Sequence, residues 1–256
     1  MSAAGGRFAR AAPALLGVGL WQLAALTPWG HARAVPSVRS VLAALCDDGV
    51  AQLALDTGAT LLRLTAGVAL AAPVGALAGV WLGLREERWR AAEPTVDFLR
   101  SIPPVLLYPL FLASAGYTER ARVAAIAFGV TGVVLLPTAT ALRGAPAARR
   151  DAVRLAGLTG WRAFRALHAY EALPGLLTGL RLALVQGLVI AVVTEMLVGA
   201  SNGLGCRALQ ALQEYRADRL WLTIAVAGLV SQLLSSMVSR VERSAPLRGR
   251  DVPPRC

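Results

Sequence analysis

Long apolar runs alternate with short polar segments along almost the whole chain, and the run lengths predict its architecture. A helix of about 17–25 apolar residues is long enough to cross a hydrocarbon layer about 30 Å thick. Six stretches meet that condition, so the sequence predicts an all-α, polytopic membrane protein with six transmembrane helices. Their expected bounds are about 11–27, 60–84, 98–117, 121–142, 176–199 and 220–238.

The first run has the charged start and apolar core of a signal peptide, which leaves two interpretations. A cleaved signal needs small residues at its cleavage site, whereas this run carries Trp21 and Gln22 and continues into Thr27, Pro28 and Trp29. We therefore expect a retained first helix.

Arginine concentrates on one predicted side of the membrane. Most Arg residues lie in the tails at 1–10 and 241–256, in a charged loop at 85–90 and in the segment at 143–165. The opposite side holds Asp47, Asp48, Asp56, Glu214 and Asp218. Because cytoplasmic loops are enriched in Arg and Lys, both termini and the Arg-rich segments are expected in the cytoplasm. The transmembrane domain then covers 11–240, with external connectors at 30–56, which includes a helical stretch at 37–45, and at 200–218.

The longest polar segment, residues 149–174, is basic and amphipathic. Apolar residues recur in it at roughly helical spacing, and Gly157 and Gly160 are expected to divide it into two pieces. The pattern predicts one or two short helices outside the bilayer. Such a helix can lie in a groove of another protein.

Composition agrees with a membrane protein and excludes several functions. The 256 residues are 56% hydrophobic and 16% charged, against about 25% charged in an average soluble domain. Every basic residue behind the net charge of +11 is Arg, and these Arg residues flank apolar runs without forming a nucleic-acid-binding face. Without Lys the chain has no GxxxxGK[ST] phosphate loop, so it cannot hydrolyse a nucleotide by that route.

The cysteines and histidines do not form a metal-binding motif. The three cysteines are Cys46, Cys206 and Cys256, with no CxxC pair, and His31 and His168 lie far apart. Cys46 and Cys206 both fall in predicted external segments. A disulfide between them stays open, because sequence alone does not give their separation.

Proline and small residues suggest where the helices approach one another and where they break. Pro103, Pro104 and Pro109 interrupt the hydrogen bonding of the third predicted span, whose freed carbonyls must then face protein or a water-filled path. Gly75 and Gly79 form a small-xxx-small pair, which allows close helix packing.

Charged residues inside the spans are candidates for the transport pathway. A buried carboxylate costs about 2.5–3.5 kcal/mol on insertion scales, so Glu195 should have a partner, and Arg63 lies at a similar predicted depth. The two either share a polar cluster or reach the interface separately. Arg100 and Arg181, expected near the inner ends of their spans, either anchor those ends or attract an anionic substrate. Gln186 and Thr194 are candidate cavity residues.

The segment at 149–168 resembles the cytoplasmic loop of permease subunits of bacterial ATP-binding-cassette importers. Asp151-Ala152-Val153 stands where that loop has Glu-Ala-Ala, Gly157 matches its Gly and Leu167 its later Ile, although Ala169 and Tyr170 replace a Leu-Pro. Further motifs from about residue 35 to residue 241 resemble the nitrate/sulfonate/taurine-type permeases. They are Thr60-Leu61-Leu62-Arg63 with Gly67, Glu93-Pro94, Arg100-Ser101-Ile102-Pro103-Pro104, Glu195-Met196-Leu197 and Ser201-Asn202-Gly203-Leu204-Gly205.

This resemblance implies a set of partners in a bacterial inner membrane. Two cytoplasmic ATPase subunits would bind ATP and receive the segment at 151–167 as a coupling helix, so this chain itself needs no cofactor. Two copies of the chain would form the pathway for a small solute, of the anionic nitrate, sulfonate or taurine type, delivered by an extracytoplasmic binding protein. A membrane-embedded enzyme would need clustered acids or a nucleophile, and a self-sufficient transporter usually shows an inverted repeat. The sequence shows neither feature.

Overall fold

The computed structural model describes residues 16–27, 35–146, 168–197 and 200–244, with the isolated positions 148, 151, 155–157 and 162. These residues are almost entirely helical, and none of them lies in a strand. The helices are α1 Leu16–Ala25, α2 Val38–Asp48, α3 Val50–Gly83, α4 Glu86–Ser101, a 3-10 turn Pro104–Leu107, α5 Tyr108–Ala115, α6 Glu119–Arg143, α7 Ala169–Leu197, α8 Leu204–Gln213 and α9 Ala217–Ser244.

Four described helices are long and apolar enough to cross a membrane, namely α3, α6, α7 and α9. A fifth crossing is possible if α4 and the Pro104–Ala115 segment act together as one bent span. The described part of α1 covers ten residues. The chain is therefore a multi-pass, all-helical membrane protein with four or five candidate spans in its described part.

The predicted third span, 98–117, is wrong as a single helix. Helix α4 ends at Ser101, Pro103 adopts an extended conformation, and the two halves meet at an angle of 77°. Proline lacks an amide hydrogen and restricts the residue before it to extended conformations, so Pro103 and Pro104 end the helix. The predicted loop at 85–90 is also wrong, since Glu86 and Glu87 form the first turn of α4, where acidic residues are favoured.

The segments predicted as external connectors contain more helix than the hydrophobic pattern predicted. Ser37 caps α2 through a hydrogen bond from the Ser40 amide to its hydroxyl, and only Gly49, at a φ of 75°, separates α2 from α3. The span predicted at 60–84 therefore begins about three turns earlier, and the one predicted at 176–199 begins at Ala169. The predicted loop at 200–218 contains α8.

The core is formed by α3, α6 and α7, with α3 and α6 running in the same direction and α7 running against them. Glycines allow the close contact of α3 with α6. A Cβ on Gly75 would lie 2.7 Å from the carbonyl oxygen of Thr131, and one on Gly79 would lie 2.6 Å from that of Leu135. The small-xxx-small prediction is thus confirmed as a backbone contact. Between the three helices lie buried Leu64, Val68, Ile126, Val130, Ala183 and Leu188.

Candidate functional sites: a buried polar cluster and an apolar cleft

Arg63 organises a polar cluster where α3 meets the start of α6 and the end of α7. Its Nε and Nη2 donate to the two carboxylate oxygens of Glu119 at 2.6 and 3.0 Å. Its Nη1 donates to Glu195 Oε1 at 2.7 Å and to the Asn202 carbonyl at 2.9 Å, and Nη2 also donates to Asn202 Oδ1 at 2.6 Å. A guanidinium has five N–H groups, so every donor of Arg63 has an acceptor.

Glu195 is the most enclosed carboxylate of this cluster, with a fully buried side chain. Beyond its bond from Arg63, it accepts hydrogen bonds at Oε2 from the Thr60 hydroxyl and the Gly205 amide, both at 2.9 Å. The predicted interaction of Glu195 with Arg63 is therefore present. These bonds and the opposite charge offset the cost of burying the carboxylate.

The chain segment at 202–205 is held to α3 by the same cluster. The Gly203 amide donates to Asp56 Oδ1 at 3.1 Å, and the Leu204 amide donates to the Thr60 hydroxyl at 2.9 Å. Arg207, on α8, donates to Asp56 Oδ2 at 3.2 Å. The segment therefore connects α7 and α8 to α3 through its backbone.

Two glycines are required for this segment to lie against the carboxylate. Gly203 has a φ of 119°, and a Cβ there would lie 2.6 Å from the Glu195 carboxyl carbon and 2.7 Å from Arg63 Nη1. A Cβ on Gly205 would clash with the carbonyl oxygen of Val192. The Asn-Gly-Leu-Gly motif is therefore a consequence of close packing around Glu195.

The charges of the cluster balance one another. We call the following residues the Arg63 cluster: Asp56, Thr60, Arg63, Glu119, Arg122, Glu195, Asn202 and Arg207, where Arg122 donates to Glu119 at 2.9 Å. Three carboxylates face three guanidinium groups, so the cluster is neutral when all are ionised. A neutral, hydrogen-bonded network is the arrangement expected of a rigid junction between helices, because it leaves no charge free for a ligand.

Sequence reasoning found Arg63 and Glu195 but missed the other members of the Arg63 cluster. Asp56 and Glu119 were interpreted as parts of external segments, and Asn202 as part of a family motif. A usable signal was present, since Asp56 and Thr60 lie two turns and one turn before Arg63 on the same helix face.

A second site is an apolar cleft of about 450 Å³ beside the middle of α6. Its walls are mostly aliphatic residues of α3, α4 and α6 together with Pro104 and Phe128, and Arg100 and Gln186 also reach it. The same two side chains line an adjoining cleft of about 290 Å³ between α6 and α7. Arg100 is the one charged residue among those lining either cleft in the described part of the chain.

Arg100 and Arg181 lie further from the starts of their helices than the predicted span bounds implied. The side chain of Arg100 crosses Gly132, where a Cβ would lie 2.8 Å from Arg100 Cγ, and Gly132 is at the middle of α6. Arg181 lies near the middle of α7, where its Nε donates to Ser235 of α9 at 2.9 Å, and it does not line the cleft. Arg100 lies level with the middle of the bundle because α4 begins at Glu86, about four turns before it.

Of the remaining pathway candidates, one lies at a described site. Pro104 lines the larger cleft, and Pro103 precedes the 3-10 turn. Thr194 is fully buried, and its hydroxyl donates to the Ala191 carbonyl at 2.9 Å. This bond satisfies the buried hydroxyl without a ligand.

The coupling candidates are only partly described. Asp151 is helical and exposed, and Gly157 has a φ of 64° with no atom within 4 Å of an added Cβ. Ala152, Val153 and Leu167 lie outside the described residues. Leu155, in the same segment, is 89% exposed, which is unusual for so large an apolar side chain.

Cys46 and Cys206 are free thiols, so the disulfide that the sequence left open is absent. Burial raises the pKa of the Cys206 thiol, and the nearby carboxylates of Asp56 and Glu195 raise it further. Its Sγ donates to the Ala200 carbonyl at 3.2 Å. Cys46 is exposed on α2.

The sequence and this geometry place the chain in a known class. The profile of a family described as "binding-protein-dependent transport system inner membrane component" matches residues 71–244, more than half of the 256 residues. The chain belongs to this family, so the resemblance to importer permeases is confirmed.

Curated relatives agree with this family. A Bacillus subtilis protein named as an aliphatic sulfonates transport permease, SsuC, is 27% identical over 72% of this chain and 66% of its own length. The bicarbonate transport system permease protein CmpB of Synechococcus elongatus is 25% identical over 73% of this chain and 67% of its own length. The nitrate import permease protein NrtB of Leptolyngbya laminosa is 25% identical over 86% of this chain and 81% of its own length. The chain thus spans about two thirds of the length of the first two of these relatives.

Solved structures show the same fold. An inward-facing form of the MetNI methionine ABC transporter superposes with a TM-score of 0.61 at 22% identity, covering 76% of this chain and 94% of that one. An amino acid ABC transporter crystallised with histidines superposes with a TM-score of 0.56 at 19% identity. The match covers 72% of this chain and 91% of that one. The family and its relatives are membrane components of transport systems, so this chain is a transport permease and not an enzyme.

Proposed function

We propose that this chain is the pathway-forming permease subunit of an ATP-driven importer for a small anionic solute. The observation that carries the proposal is the mid-bundle cleft with Arg100, in a chain of the permease family that lacks the Lys of a nucleotide-binding loop. A path with one cationic residue suits an anion. Because the chain has no phosphate loop, a separate subunit must supply the energy.

In this proposal the chain has six spans, both termini lie in the cytoplasm, and the membrane is a bacterial inner membrane. The permease domain covers 11–240, between cytoplasmic tails at 1–10 and 241–256. The packing directions support this arrangement. Helices α3 and α6 would run inward from the end that holds the Arg63 cluster, and α7 would return outward. The end that holds Glu86 and Arg143 would face the cytoplasm, next to the Arg-rich segment.

The proposed partners are two ATPase subunits, an extracytoplasmic binding protein and a second copy of the chain. The coupling segment at 149–168, with Asp151, Ala152, Val153, Gly157 and Leu167, would dock on the ATPase. The exposure of Leu155 supports this role, since an apolar side chain left in water favours burial in a partner. A second copy would cover exposed apolar residues of the bent segment, including Phe98 and Leu106.

Co-purification tests the proposal directly. The chain is expressed with the ATPase and the binding protein encoded beside it, and ATP hydrolysis is measured with and without the binding protein. We expect the ATPase to co-purify and the binding protein to stimulate hydrolysis. Failure of the wild-type chain to retain any ATPase would overturn the proposed function.

Two matched variants then locate the docking site. Leu155→Asp should lose the ATPase, because it places a charge in an apolar contact, yet it should still fold since the side chain is exposed. Leu212→Asp, on α8, is the control, because Leu212 is 55% exposed and lies near the Arg63 cluster end of the chain. Retention of the ATPase by Leu155→Asp would count against this docking site.

A further inference from the structure

Arg100 and Gln186 are polar side chains without a hydrogen-bonding partner inside the described part of the chain. Arg100 forms an exposed ion pair with Asp97, one turn earlier on the same helix, with Asp97 Oδ1 3.7 Å from Arg100 Nη1. That distance is too long for a hydrogen bond. Arg63 provides the contrast, since all five of its donors have acceptors. The guanidinium of Arg100 is thus left available to an acceptor from outside the chain.

The two side chains line the same two clefts from different helices. Arg100 is in the last turn of α4, Gln186 is near the middle of α7, and both line the two adjoining clefts beside α6. A guanidinium presents a planar fork of N–H groups, and an amide adds two more donors. Together they form a donor set that matches the oxygen atoms of a carboxylate, sulfonate or similar anion.

The backbone of α6 is shaped for this arrangement. The methylene stem of Arg100 lies on Gly132, and Pro104 lies on Gly129, where a Cβ would be 2.7 Å from the proline Cγ. Any side chain at 132 would displace Arg100 from the cleft. A cation at the middle of a membrane-spanning bundle is costly, so one held there by such close packing is expected to serve a ligand or a pathway.

The remaining walls of the cleft indicate what the anion carries. Apart from Arg100, Gln186 and Thr131, the residues that line the larger cleft are apolar or glycine. Its volume of about 450 Å³ lies within the range of about 300–1,000 Å³ typical of small-molecule sites. A small inorganic anion would leave most of the apolar surface uncovered, whereas an alkyl group would cover it and gain hydrophobic stabilisation.

We propose that Arg100 and Gln186 bind the charged head of a small organic anion, such as an alkyl sulfonate, while the apolar wall of the cleft receives its hydrocarbon part. This inference rests on the proposed function, because it assigns a ligand class to the same pathway. It separates this chain from a permease whose cleft holds only a compact inorganic anion.

The first experiment measures ligand binding by the permease–ATPase complex in nanodiscs, through its thermal unfolding temperature. Three probes are compared at equal concentration. 1-Butanesulfonate carries both an anionic group and an alkyl chain, nitrate is an anion without an alkyl chain, and 1-butanol has an alkyl chain without a charge. We expect only 1-butanesulfonate to raise the unfolding temperature. An equal shift with nitrate, or no shift with any probe, would overturn the assignment.

Variants test the two residues. Arg100→Gln should abolish the shift and lower uptake of the cognate solute at least tenfold, whereas Arg100→Lys should retain part of both. Gln186→Glu can pair with Arg100 and keep the fold, yet it should block the anion. Arg90→Gln is the matched control, since Arg90 lies on the same helix with its side chain 75% exposed. Normal uptake by Arg100→Gln would overturn the inference.

The outcomes also distinguish this inference from the proposed function. If the wild-type chain retains its ATPase and Arg100→Gln transports normally, only the ligand site is wrong. If the wild-type chain retains no ATPase, the proposed function fails before the ligand site is tested.

Discussion

Arg63 of α3 and Glu195 of α7 form a salt bridge of 2.7 Å with both side chains almost fully buried. The pair joins the two helices that enclose α6, and it also fixes the segment at 202–205, since Arg63 binds Asn202 and Glu195 binds the Gly205 amide. This junction lies at one end of the bundle, and the cleft with Arg100 lies at its middle. We interpret the Arg63 cluster as the rigid part of the structure and the cleft as the part that meets the solute.

Removing one partner of this salt bridge should be costly. Arg63→Met leaves Glu195 buried without its counter-charge and should destabilise the protein by about 3–5 kcal/mol. Thermal unfolding of the purified chain in detergent measures the effect. Arg63→Met combined with Glu195→Gln should recover part of the loss, because no uncompensated charge then remains. Equal stability of the Arg63→Met chain and the wild type would contradict the structural role of the pair.

Glycine at 203 should be essential for packing against the carboxylate. Gly203→Ala places a Cβ 2.6 Å from the carboxyl carbon of Glu195 at a φ of 119°, so we expect a marked fall in unfolding temperature. Gly58→Ala is the control, because Gly58 lies within α3 with no atom within 4 Å of an added Cβ. That change should be neutral or stabilising by about 0.5–1 kcal/mol. A similar loss in both variants would argue against the close contact at 203.

Arg143 should transmit motion between the coupling segment and the cleft. It ends α6, donates to both oxygens of Glu86 at 2.9 and 3.0 Å, and stacks 4.9 Å from the Trp89 ring. These contacts attach α6 to the start of α4, whose last turn carries Arg100. Arg143→Gln should retain ATP hydrolysis but lose most solute uptake in proteoliposomes.

A control for this transmission is available on α4. Arg88→Gln also removes a guanidinium stacked on a tryptophan, in this case Trp81 of α3, but it leaves the link between α4 and α6 intact. It should preserve the ratio of uptake to hydrolysis. A normal ratio in Arg143→Gln would exclude Arg143 as the connection.

The native cysteines can establish the topology. A membrane-impermeant maleimide added to intact spheroplasts should label Cys46 quickly, because the proposal puts this exposed thiol outside. Cys256 should react only after permeabilisation. Cys206 should react slowly from outside, since a raised pKa lowers its thiolate fraction at neutral pH. Single-cysteine versions of the chain separate the three signals, and labelling of Cys256 in intact spheroplasts would contradict a cytoplasmic C terminus.

Several of these features could be predicted without a structure because they depend on local sequence. The spans formed by α6, α7 and α9 were placed to within a few residues at most ends, since their apolar length alone decides whether they fit a bilayer. The packing of Gly75 and Gly79 is likewise a local pattern. The need of Arg63 and Glu195 for partners follows from their positions in apolar runs, but whether they pair with each other stayed open.

The amino-acid sequence by itself therefore determined the class of protein, most of its long apolar helices and the need of Glu195 for a counter-charge. Only the tertiary structure decided which groups meet. Glu119, Glu195 and Asn202 lie 56, 132 and 139 positions from Arg63, and no local pattern specifies contacts over such separations. The start of α4 at Glu86 places Arg100 at the middle of the bundle and not at the end of a predicted span, and the chain bends by 77° after Ser101. The direction of this bend depends on how Pro104 and Arg100 pack on two glycines of α6, and packing between distant segments is a property of the folded chain.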